Sequence, residues 1–142
     1  MTADVATVGP GTLLAEAARL MRERRVSGLP VVDAGRLAGV ITEGDMLRQL
    51  HRVDVPGYID ILGGVFPIPG SGHLERQLRE ITAYRVDQLM TRNVVTAAPD
   101  EDVAEAARRM ERRRVRRLPV LDGTGRLVGI VTRSDLLRAV FS

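Results

Sequence analysis

The chain has 142 residues, 44% of them hydrophobic and 27% charged, with a formal net charge of +3. That length fits one compact domain or two small subdomains, and with no Trp, two Tyr and two Phe the core must be aliphatic. The absence of cysteine excludes disulfides, thiolate nucleophiles and zinc ribbons, and no apolar run approaches the ~20 residues of a membrane span. Met1 to Asp4 shows neither the basic nor the apolar region of an export signal, so a cytoplasmic location is the expectation. Every Lys/Arg position is Arg. Codon usage in a GC-rich genome would explain this, and so would a need for planar, bidentate phosphate contacts. Composition leaves both open.

In chain order, the first pattern is a short strand near Val5 to Thr7, then Pro10 and an apolar set at helical spacing, Leu14, Ala17, Ala18 and Met21. Thr12 suits the start of that helix as a cap. Two strands are expected at Pro30 to Asp33 and Leu37 to Thr42, joined by a turn at Gly35. A second helix after Thr42 carries Met46, Leu47 and Leu50. From His51 to Gly72 the chain turns rich in Gly and Pro, and Leu74, Leu78 and Ile81 then mark an amphipathic helix to about Ala83. An insert of this length with apolar residues of its own is expected to pack on the rest of the chain or on a second subunit.

The opening pattern then returns. Met1-Thr2 recurs as Met90-Thr91, Thr7 as Thr96, Pro10 as Pro99 and Glu16-Ala17-Ala18 as Glu105-Ala106-Ala107. Met21 answers Met110, Val26 answers Val115, and Leu29-Pro30-Val31-Val32-Asp33 answers Leu118-Pro119-Val120-Leu121-Asp122. One residue is added in the turn of the second copy, after which Gly39, Thr42 and Asp45 match Gly129, Thr132 and Asp135. An insertion confined to a turn is the mark of a structural duplication. The second copy therefore predicts a strand near Val94 to Thr96 and a helix on Val103, Ala106, Ala107 and Met110, favoured at its start by Asp100, Glu101 and Asp102. Strands follow at Pro119 to Asp122 and Leu127 to Thr132, and a last helix carries Leu136, Leu137 and Val140.

The fold class is thus α/β (α+β): two β-α-β-β-α repeats, each about fifty residues and too small to bury a stable core alone. They are expected to pack sheet against sheet with pseudo-twofold symmetry, leaving a cleft between them. The organisation reads as residues 1–50, an insert at 51–83, and 84–142. Tyr84 to Leu89 leads into Met90, whereas the chain begins at the equivalent of Met90, so the first copy lacks its lead-in, by an upstream start or by trimming.

Catalysis finds no candidate residues. His51 and His73 lie outside the repeats and no nucleophile-base set, acid-base pair or metal-ligand spacing is present. What recurs is a polar pair at the strand-to-helix junction, Thr42 with Asp45 and Thr132 with Asp135. The Thr can cap the helix and leave backbone N–H groups for a phosphate, and the Asp one turn on can accept hydrogen bonds from a ribose diol. The same residues would serve equally as plain helix caps.

The order P-x-x-x-x-x-E-A-A-x-x-M, V-x-x-L-P-V-x-D, G-x-L-x-G-h-h-T-x-x-D, present twice, closely resembles the cystathionine-β-synthase (CBS) domain over about residues 1–50 and 84–140. The resemblance implies a regulatory sensor rather than an enzyme, with an adenine nucleotide (AMP, ADP or ATP, or S-adenosylmethionine) as a regulatory ligand and no obligatory cofactor or metal. It places ribose and phosphate contacts at Thr42, Asp45, Thr132 and Asp135, and adenine contacts at Val26, Ser27, Gly28 and Pro30 and at Val115, Arg116, Arg117 and Pro119. Thr7 and Thr96 would line the same clefts. It also implies a homodimer, joined through helix faces, and an effector protein that reads the nucleotide.

The copies differ at these places. Ser27-Gly28 stands against Arg116-Arg117, and Glu43, repulsive to phosphate, against Arg133, so the two clefts are expected to bind unequally. Two other functions are open to the same residues: a ligand-free dimerisation or docking module, and nucleic-acid binding by the run Arg108, Arg109, Arg112, Arg113, Arg114, Arg116 and Arg117. Against nucleic acid, Glu111 interrupts the run and no aromatic residue is at hand for stacking.

Overall fold

The computed structural model describes residues 4–52, 58–61, 64–67, 80 and 83–141. The elements are α1 (Leu14–Arg24), β1 (Gly28–Asp33), β2 (Arg36–Thr42), α2 (Glu43–Arg52), β3 (Tyr58–Ile61), β4 (Gly64–Pro67), α3 (Val86–Leu89), α4 (Val103–Arg113), β5 (Arg117–Leu121), β6 (Leu127–Thr132) and α5 (Arg133–Phe141). No described helix is long and apolar enough to cross a membrane. The mixed helix and strand content follows the repeat: β1-β2 and β5-β6 are antiparallel hairpins in equivalent positions.

The turns differ where the sequence differs. Ala34 (φ 52°) and Gly35 (φ 82°) form a two-residue turn with both central residues left-handed, which matches the twist of a hairpin. In the second copy the extra residue makes a longer loop around Asp122. Its carboxylate accepts from the Thr124 N–H (2.9 Å), the Thr124 hydroxyl (2.6 Å) and the Arg126 N–H (3.0 Å). The strands expected at Val5 to Thr7 and Val94 to Thr96 contract to single parallel bridges one residue later, Val8 to Val31 and Ala97 to Val120. The Val8 N–H donates to Pro30 O (3.1 Å) and the Ala97 N–H to Pro119 O (3.0 Å).

The two first helices start by different means. Thr12 does not cap α1; its hydroxyl accepts from the Gly9 N–H (3.1 Å), and the Ncap residue Leu13 makes no side-chain bond. The Leu14 N–H donates instead to Tyr84 O (2.9 Å), so the segment before α3 supplies the missing acceptor. Helix α4 is capped by Asp102, which accepts from the Ala104 N–H at 3.2 Å. Both helices end on a left-handed Arg, Arg25 or Arg114, with the next N–H folding back to Met21 O or Met110 O.

Sequence gave no strands in the insert, yet β3 and β4 pair antiparallel, Tyr58 with Pro67 through Ile61 with Gly64. The signal was Tyr58-Ile59-Asp60-Ile61 followed closely by Val65-Phe66, masked by the surrounding Gly and Pro. The amphipathic helix expected at Leu74, Leu78 and Ile81 lies outside the described residues.

Two separate apolar clusters form. The first joins Val8, Leu14, Ala17, Met21, Leu29, Val31 and Ile41 with Val86 and Met90; the second joins Ala97, Ala106, Met110, Leu118, Val120 and Leu136. The lead-in to the second copy therefore packs into the first copy's core. Where the copies meet, residues stand beside their own counterparts, as a twofold axis requires. Arg36 bridges Arg126, and a Cβ added at Gly28 would run into the Arg117 guanidinium. Away from that lead-in, the copies meet at these two places across glycine and arginine.

Candidate functional site

Each T-x-x-D motif closes on itself. The Thr42 N–H donates to Asp45 Oδ2 (2.9 Å) and the Asp45 N–H to Thr42 Oγ1 (3.2 Å). Thr132 and Asp135 repeat this at 3.0 and 3.2 Å. Both Thr residues are therefore helix caps. The backbone N–H groups expected to be open are mostly taken, because each helix also docks on the segment before its hairpin. The Glu43 N–H donates to Ser27 O (3.0 Å) and the Arg133 N–H to Arg116 O (3.1 Å).

The two carboxylates sit in unlike places. Asp45 is buried; its Oδ1 accepts from the Thr91 hydroxyl (3.2 Å) and from Arg48. Asp135 is more open and pairs with Arg138. Burial pushes the Asp135 carboxyl up, but its bonds to Thr132 and the nearby Arg138 outweigh this and hold it below the usual aspartate range.

Two clefts flank the pseudo-axis, and each is built from both copies. The first, of about 680 Å³, brings Asp4 to Ala6 and Arg24 to Pro30 against Thr132, Arg133, Ser134 and Leu137. The second, of about 470 Å³, brings Asn93 to Val95, Arg114 to Arg117 and Pro119 against Thr42 to Asp45 and Arg48. Both volumes suit a small-molecule ligand. The geometry assigns the charges that sequence could not. Arg133 faces Ser27 and Gly28 in the first cleft, whereas Glu43 faces Arg116 and Arg117 in the second.

Of the residues singled out by sequence, Val26, Ser27, Gly28, Pro30, Thr132 and Arg133 come together in the first cleft, with Arg116 and Arg117 at its edge with the second. Thr42, Asp45, Val115, Arg116, Arg117 and Pro119 come together in the second. Thr7 is not in either; it lines a separate hollow with Val32, Gly35 and Arg126. Thr96 turns its carbonyl to Arg109 Nη1 (2.8 Å), and Asp135 lies behind Thr132 rather than among the lining residues. Sequence reasoning missed Arg24, Arg25, Arg48, Asn93 and Thr91. Thr91 was the most accessible of these, since Met-Thr is part of the repeat. Among the described residues no group of three His, Cys, Asp or Glu could hold a metal ion.

With the geometry in place, the CBS domain model matches residues 1–52 and 86–142. The chain belongs to the CBS domain family. As a CBS pair it is similar to uncharacterized protein MJ1426 of Methanocaldococcus jannaschii, 34% identical over 137 residues, which cover 89% of this chain and 80% of that one. Among solved structures it resembles CBSX2 in complex with AMP, with 28% identity and a TM-score of 0.72, covering 97% of this chain and 88% of that one. It also resembles the MJ0100 CBS domain pair in complex with 5′-methylthioadenosine and S-adenosyl-L-methionine, with 27% identity and a TM-score of 0.67, covering 96% and 89%. Against four further curated relatives the chain spans only 23–44% of their length, two of them homoserine O-acetyltransferases. In those two enzymes the CBS pair is a small part of a larger chain.

Proposed function

We propose that this CBS pair is a regulatory module that binds an adenine nucleotide in the clefts between its copies and passes occupancy to a partner protein. The observation that carries this is the cross-construction of each cleft. The V-x-x-L-P-V approach of one copy faces the T-x-x-D helix start of the other, so a ligand there touches both halves and can shift their relative position. A flat base fits against Val26 and Pro30, or Val115 and Pro119, and the surrounding arginines offer planar forks to phosphate. AMP, ADP and ATP suit this chemistry, and S-adenosylmethionine shares the adenosyl group. The similarity to structures holding AMP, and 5′-methylthioadenosine with S-adenosylmethionine, supports the same ligand class. No step in this function is catalytic.

A homodimer fits the same picture. Leu13, Leu47, Val103 and Phe141 are large apolar side chains left exposed in or beside the helices. An isologous pair would cover such faces. The nucleic-acid reading loses two of its cations: Arg108 pairs with Glu105 (2.8 Å) and Arg109 with Glu101 (2.6 Å).

Thermal unfolding with AMP, ADP, ATP, S-adenosylmethionine and adenosine tests the proposal. A ligand at ~100-fold over its dissociation constant stabilises by about 2.7 kcal/mol, a readily measured shift for a domain this size. A shift that shrinks in Asp45→Asn or Thr132→Ala supports nucleotide sensing. No shift with any of the five compounds contradicts it and leaves the ligand-free docking module.

A further inference from the structure

Arg117 stands between the two clefts. Its repeat counterpart is Gly28, and the two lie against each other on the pseudo-axis, with the guanidinium over the glycine. The side chain consequently lines both clefts. Arg116 and Ser27 also line both, but Arg116 is exposed and Ser27 carries no charge, whereas Arg117 is half-buried. Its one described hydrogen bond runs from Nη2 to the Ser27 hydroxyl, and no described carboxylate lies within ion-pair distance of it. Burial and the neighbouring Arg116 charge push the guanidinium below its ordinary range, while the Glu43 charge pulls the other way. A half-buried cation without a counter-ion is a ready partner for an anion from outside.

We propose that Arg117 is a single phosphate ligand shared by the two clefts, so that a phosphate-bearing adenosyl compound in one weakens binding in the other. This rests on the nucleotide reading above and deepens it. A fixed charge midway would help both ligands alike. A long, rotatable side chain held by one hydroxyl turns to the first phosphate, and the pair of N–H groups at its tip can face only one cleft at a time. Gly28 makes the turn possible, because any side chain there would occupy the space of the guanidinium. The first copy offers no second arginine at this place, where it has Gly28, so the other arginines of each cleft offset the loss only in part. The coupling is reciprocal: whichever cleft fills first weakens the other by the same factor.

Amide NMR titrations at ~0.15 M salt, where charges ~8 Å apart are largely screened, read each cleft separately. Arg24 and Ser134 report the first cleft, Gly44 and Asn93 the second. With AMP, the affinity of the later-filling cleft is expected to fall on the order of tenfold as the other fills. With adenosine, which lacks the phosphate, the two isotherms are independent. In Arg117→Gln the AMP coupling falls towards none, and in Arg117→Lys, which keeps a mobile charge, it persists in part. Independent AMP isotherms in the wild type, or undiminished coupling in Arg117→Gln, overturn the proposal while leaving nucleotide binding intact. Silence of both reporter sets towards AMP and adenosine overturns the nucleotide reading and this proposal together.

Discussion

Leu14 and Val103 occupy the same place in the repeat, the first residue of α1 and of α4, yet Leu14 is 2% exposed and Val103 41%. The cause lies outside both copies as the repeat defines them. Residues 84–90 run alongside the start of α1, where Tyr84 O accepts from Leu14, the Val86 N–H donates to Thr12 O (2.8 Å), and Val86 and Met90 enter the first core. Among the described residues nothing does this for α4, which caps itself with Asp102. Sequence that repeats thus folds alike locally, while its burial depends on what the neighbouring chain brings. The same holds at the axis, where Gly28 and Arg117 are equivalent in position and opposite in effect.

Substitution can break this comparison where it is widest. Leu14→Ala is expected to cost ~2–5 kcal/mol in denaturant unfolding, the range for truncating a fully buried leucine. Val103→Ala should stay within ~0.5 kcal/mol, as for an exposed site. Equal losses would mean that the second core is covered as the first is. Asp102→Ala sharpens the same point more gently. It removes a working cap and should cost about 1 kcal/mol, whereas Leu13→Ala, at the matching position of α1, removes no side-chain bond and should cost less.

Acid gives the smallest effect. The Asp122 carboxyl is held low chiefly by the Thr124 hydroxyl, then by the Arg126 and Thr124 N–H groups. A carboxylate with a depressed folded pKa contributes stability above its unfolded pKa and loses it as pH falls through the folded one. Asp122→Asn should therefore be less stable than wild type at neutral pH. The gap should close as pH falls below the usual aspartate range, as read by unfolding midpoints across that window. A gap independent of pH would deny the carboxylate its role in the loop.

Much of this was legible in advance. The repeat gave the hairpins, both helices of each copy and the position of the extra residue, because apolar periodicity and turn chemistry are local properties. The T-x-x-D caps were legible for the same reason. Thr12 is not the cap its position suggests, because its helix takes an acceptor from Tyr84, seventy residues beyond Leu14, which no local pattern encodes. Likewise, Arg133 and Glu43 were visible as a difference between copies, but their placement in opposite clefts needed the pseudo-axis. The resemblance implied that Thr7 and Thr96 line the clefts, and neither is among the residues that gather there.

The most direct measurement of the central claim, that each cleft is built across the copies, is amide hydrogen exchange with and without saturating AMP. The account predicts paired protection, of residues 24–30 together with 132–134, or of 42–45 together with 114–117, each pair drawn from both copies. Protection confined to one copy, or none at all, would contradict it.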